Sequence, residues 1–191
     1  MISRYLEYNN PAIKKEVLNA ENKTILVFSR LEEVVTFNPT EINKLSQIFE
    51  LLQEKAEDEG YPEEKETLYG ALVDTFEQED YFLDEKQNDM KARSLKVVEL
   101  NEMPDETDIS FGKTYSDQTL LAFGYLNSKD IYLEPEDLKI LIEDLNWFVH
   151  ESECCKPKTA VFIESLIKKM EMEVEFINQN KPHVNLFVVG L

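Results

Sequence analysis

His150, Glu153, Cys154 and Cys155 form a compact group of potential metal ligands. His150 and Cys154 stand four residues apart and could share a helical face. Zinc, however, takes four ligands in workable geometry, and the only other histidine, His183, has no matching partner. No metal is expected there; the segment reads as a helix end followed by a loop at Lys156-Pro157. Asp105-Glu106-Thr107-Asp108 supplies acids without the glycine and terminal glutamate of a calcium loop. Phe111-Gly112-Lys113-Thr114 has the ending of a phosphate-binding loop, yet none of the other glycines (Gly60, Gly70, Gly124, Gly190) stands upstream at the needed spacing. Neither histidine lies in a nucleophile motif, and carboxylates are too common here for a pair to mark acid–base chemistry. The expectation is a protein that is not an enzyme and holds no cofactor.

What the sequence does concentrate is negative charge. Thirty-nine Asp and Glu against 20 Lys and Arg give −19 over 191 residues. Residues 54–89 hold 14 of the acids and three lysines, so −11 of the total sits in under a fifth of the chain. Within that run, Glu54, Glu57, Asp58, Glu59, Glu63, Glu64, Glu77, Glu79 and Asp80 form the candidate partner-binding set, with Tyr61 and Tyr69 as interleaved aromatic anchors. The bland reading of the same run is a solvated helix-loop-helix surface. A folded chain of this size exposes roughly 9,000 Å², so the excess is about one uncompensated carboxylate per 500 Å². Such a surface repels phosphate. Direct binding to nucleic acid or an anionic membrane is therefore not expected, whereas a basic protein partner would be drawn in. Nucleic-acid mimicry is a sharper version of the same idea. A helix about 30 Å long would have to match some 18 phosphates of a duplex, which this segment does not reach.

Cys154 and Cys155 are the only cysteines and are adjacent, which suits no ordinary disulfide. The opening residues, Met1-Ile2-Ser3-Arg4-Tyr5-Leu6-Glu7, lack the apolar core of a secretory signal, and Val184 to Val189 is far too short to span a membrane. A soluble, cytoplasmic protein is expected.

The elements that would carry these residues show an internal similarity at a spacing of 95 to 96. Thr24-Ile25-Leu26-Val27-Phe28 aligns with Thr119-Leu120-Leu121-Ala122-Phe123, and Leu31 with Leu126. Phe37-Asn38-Pro39-Thr40-Glu41-Ile42 aligns with Leu133-Glu134-Pro135-Glu136-Asp137-Leu138 after one extra residue. Leu45, Phe49, Leu51 and Leu52 then fall opposite Leu141, Leu145, Trp147 and Phe148, while Ile48 opposite Asp144 breaks the pattern. Six identities exceed the roughly two expected from ordinary residue usage.

In each copy, short β-branched and aromatic runs predict paired strands, as at 25–28 and 34–37. Proline after a capping residue then opens a helix with an apolar stripe at three- and four-residue spacing. Second helices are expected over 62–76 and 158–177, with closing strands at 81–83 and 184–189. A helix is also expected over 11–20, a linker over 84–94 and a strand over 96–100, whereas 104–116 is less helical.

The expected fold is α+β, with two related units of about 95 residues, 1–90 (with the acidic segment 54–89) and 91–191, each packing helices on a small, mainly antiparallel sheet. The expected function is docking on a basic protein surface, as an inhibitor, immunity or counter-defence protein. The alternatives are a nucleic-acid mimic, and a small enzyme or metabolite-binding domain with scattered site residues. A pocket with convergent polar groups would favour the enzyme or metabolite-binding reading, and a convex or flat acidic face with exposed aromatics the docking on a basic protein.

Overall fold

The computed structural model describes residues 3–7, 24–60, 62–85, 94–98, 113–115, 119–123, 131–179 and 186–190. Among them the chain forms the strands β1 (Ser3–Glu7), β2 (Thr24–Phe28) and β3 (Glu33–Phe37), then the helices α1 (Pro39–Glu59) and α2 (Glu63–Glu85). The strands β4 (Ser94–Val98), β5 (Lys113–Tyr115), β6 (Thr119–Ala122) and β7 (Ile131–Leu133) follow, then the helices α3 (Pro135–His150) and α4 (Pro157–Asn178), and last β8 (Leu186–Gly190). The fold is α+β. The order strand, strand, helix, helix occurs twice, from β2 to α2 and from β6 to α4.

Both hairpins lie in one antiparallel sheet of order β3-β2-β6-β7. Neither has a sheet to itself, because an isolated two-stranded hairpin is marginal in water. At the centre, Leu26 lies opposite Leu121, with Ile25 opposite Ala122 and Val27 opposite Leu120. Leu26 and Leu121 are also the residues that the internal alignment equates. The central ladder is therefore symmetric about that pair, Ile25 and Val27 exchanging roles with Leu120 and Ala122. Leu26, Phe28, Leu121 and Phe123 enter the helical core. Their neighbours Ile25, Val27, Leu120 and Ala122 point to the other face, which is buried as well. A second sheet, β4-β1-β8-β5, pairs β1 in parallel with β4 and antiparallel with β8, and β8 antiparallel with β5.

Capping chemistry sets where the first helix of each pair begins. The Asn38 side chain accepts from the Glu41 N–H at 3.0 Å, and the Glu41 carboxylate accepts from the Asn38 N–H at 2.9 Å. At the start of α3, the Asp137 carboxylate accepts from the Glu134 N–H at 2.8 Å. Gly60, at φ 67°, ends α1 in the left-handed region. The buried faces then correspond position by position. At a spacing of 96, Ile42, Leu45, Ile48, Phe49 and Leu52 of α1 match Leu138, Leu141, Asp144, Leu145 and Phe148 of α3. At a spacing of 94, Tyr69, Leu72, Val73, Phe76 and Glu79 of α2 match Ile163, Leu166, Ile167, Met170 and Glu173 of α4.

The expected strand at 81–83 is not formed: those residues continue α2, which runs on to Glu85. Its inward stripe passes through Phe76 to Glu79, and a buried acid is invisible to a search for apolar periodicity. Asp84 and Glu85 of the expected linker are thus helical and Ser94 begins β4, while 86–93 lie outside the described residues. The expected helix over 11–20 also lies outside them.

Candidate functional site

α1 and α2 are joined through Gly60 and pack side by side, with Phe76 contacting Phe49 at 5.2 Å between ring centroids and Phe123 at 5.1 Å. Turning those rings inward leaves the acids of the pair outside. Glu54, Glu57, Asp58, Glu63, Glu64 and Glu77 are exposed. Asp80 is half-buried and accepts from the Asn43 side-chain amide at 2.8 Å. Glu59 ends α1, but its side chain, like Tyr61, lies outside the described residues.

Two members of the expected set do not belong to this surface. Tyr69 and Glu79 are fully buried. The Tyr69 hydroxyl donates to Asp144 at 2.6 Å, and Lys65 reaches both oxygens of that carboxylate at 3.3 Å. This links α2 to α3 and explains why an acid occupies a core position opposite Ile48. Glu79 accepts from the Thr24 hydroxyl at 2.6 Å, linking α2 to β2.

Its counterpart Glu173 accepts from the backbone N–H groups of Arg30 at 2.8 Å and Leu31 at 2.7 Å, and from the Ser29 hydroxyl at 3.1 Å. That gathers the turn between β2 and β3 onto α4, where Lys169 also pairs with Glu33. Burial pushes the Glu173 carboxyl up, against the pull of those donors. All three acids are covered, so they act as interior acceptors and have no face to offer a substrate.

Glu50 precedes the acidic run of 54–89 and so lies outside the expected set. Its spacing of four and seven from Glu54 and Glu57 on one helix was the available signal. Its carboxyl is pushed up, first by burial, then by Glu77, with which it shares a hydrogen bond, and further by Glu54 and Asp80. Four carboxylates from two helices thus crowd one edge of the hairpin. Glu57 and Asp58 lie near the C-terminal end of α1, where the helix dipole disfavours negative charge, and no basic residue stands in that last turn. Tyr81, 51% exposed, follows Asp80 on the same helix.

His150 ends α3 and is exposed, as are Glu153 and Cys154; Cys155 is half-buried, its thiol pushed up by burial and by Glu164. No group of three His, Cys, Asp or Glu among the described residues is placed to hold a metal ion. Lys113 and Thr114 lie in β5, while Phe111, Gly112 and 105–108 are outside the described residues. No helix among the described residues is long and apolar enough to cross a membrane. No known protein family, curated protein or solved structure matches the chain.

Proposed function

We propose that this chain is a non-enzymatic binding protein that docks its α1–α2 hairpin on a basic protein surface, as an inhibitor, immunity or counter-defence protein does. The crowding of Glu50, Glu54, Glu77 and Asp80 carries this reading. Among the described residues every influence on the Glu50 carboxyl acts in the same direction, and no cation is among them. Like charges held side by side cost stability, and a partner's lysine or arginine would relieve that cost. Tyr81 takes the anchoring role that buried Tyr69 cannot fill. The net charge of −19 keeps direct nucleic-acid and anionic-membrane binding outside this proposal. The free thiols of Cys154 and Cys155 suit a cytoplasmic setting.

The test is affinity capture, identification of what is retained, and association kinetics at two ionic strengths. Changing Glu54, Glu57, Asp58, Glu63 and Glu64 to lysine is expected to slow association about tenfold or more at low salt and to flatten its salt dependence. Unchanged association would reduce the acidic hairpin to a solvated face. We also propose that the two strand-strand-helix-helix segments descend from one duplicated unit of about 95 residues. The symmetric ladder about Leu26 and Leu121 and the matched buried positions support it.

A further inference from the structure

The two first helices, α1 and α3, each run beside the connection into the second helix of a pair, and the corresponding spaces are filled differently. Beside α3, Lys65 reaches into the space to meet Asp144 at 3.3 Å, and Trp147 carries the Lys55 ammonium 4.7 Å from its ring centroid. Beside α1 the corresponding positions hold Thr159 for Lys65, Ile48 for Asp144 and Leu51 for Trp147. These shorter side chains leave a cleft of about 440 Å³ between α1 and the start of α4. Ile48, Leu51 and Phe148 supply its apolar floor, while Lys44 and Lys156 stand on its walls.

Among the described residues no Asp or Glu lines this cleft, although 39 of the 191 residues are acidic. Neither lysine has an ion-pair partner among the described residues. A carboxylate is tied to the lining indirectly: the lining residue Asn43 holds Asp80. Where one site is plugged by its own cation and indole, its counterpart is open and cationic. Its volume is that of an ordinary small-molecule site.

We propose that this cleft binds a small organic anion, with an apolar ring or short chain on the Ile48–Leu51–Phe148 floor and a carboxylate, phosphate or sulfonate group between Lys44 and Lys156. The proposal is independent of the docking of the hairpin.

The probe is naphthalene-1-sulfonate, with naphthalene-1-methanol as its neutral counterpart, each titrated to millimolar concentration into the isotopically labelled chain and followed by amide NMR. The sulfonate is expected to shift the amides of Gln47, Cys154 and Thr159 in a saturable way and to bind about tenfold more tightly than the alcohol. The pair Lys44→Glu and Lys156→Glu should remove that preference, and Leu51→Trp, which copies Trp147, should block both probes while the spectrum stays folded. Equal binding of the two probes, shifts outside the cleft only, or sulfonate binding unaffected by these variants would overturn the proposal.

Discussion

Tyr69 shows how one hydroxyl decides between two roles that the sequence leaves equal. Its place among the acids and tyrosines of 54–89 predicts a surface anchor, yet its hydroxyl ends on Asp144 inside the core. Removing that hydroxyl leaves a buried carboxylate with one donor fewer, so Tyr69→Phe is expected to destabilise the chain by about 1.5–3 kcal/mol in urea unfolding, with no change in a partner's off-rate. Glu173 gives a prediction in pH. Its folded carboxyl titrates above the ordinary value of 4.5, so between that value and its raised one the folded state holds more protons than the unfolded. Its contribution therefore favours folding at low pH and is lost as pH rises through that window. Glu173→Gln is expected to remove this part of the slope when unfolding free energy is compared from pH 4 to 7. It should also weaken the chain throughout, because an amide cannot accept on both sides from the Arg30 and Leu31 N–H groups. Both buried glutamates, Glu79 and Glu173, were legible only in retrospect. They follow matched apolar stripes at a spacing of 94, beyond the point where an alignment at 95 to 96 stops.

At the scale of elements, hairpins and first helices were readable because their signals are local. Asn38-Pro39 with Glu41, and Glu134-Pro135 with Asp137, state where α1 and α3 start. Asn38→Ala is expected to cost about 1 kcal/mol by urea unfolding, since it removes the side-chain acceptor of the Glu41 N–H while the backbone N–H of residue 38 can still donate to the Glu41 carboxylate. A loss well under half of that would mean that Pro39 and packing suffice to fix the start of α1. The second sheet was much harder to read. Its strand β1, Ser3-Arg4-Tyr5-Leu6-Glu7, has no long apolar run and pairs in parallel with residues about ninety positions away. Lys113-Thr114-Tyr115 lies in the stretch 104–116, for which the sequence predicts no strand, and its pairing partner is β8, Thr114 lying opposite Phe187. Such strands are specified by the neighbour they meet, which propensity does not encode.

The whole molecule is organised around the pair at which the two halves meet. β2 and β6 form the centre of one sheet, and β1 enters a second sheet whose other strands lie beyond residue 90. A chain cut at residue 90 would lose its central ladder and leave Leu26 and Leu121 on exposed edges, together with apolar residues on both faces of β2 and β6. Residues 1–90 and 91–191, made separately, are therefore expected to show no cooperative unfolding as monomers. Mixed, they should form a one-to-one complex with restored circular dichroism, provided salt screens the repulsion between two acidic pieces. The symmetry of the ladder adds a sharper expectation. If both halves descend from one unit, residues 1–90 alone at high concentration can set β2 against a second β2, Leu26 facing Leu26, and sedimentation would find a dimer weaker than the mixed complex. Cooperative unfolding of either piece as a monomer would show instead that each half closes its own core, and that the shared sheet is only where two independent domains touch.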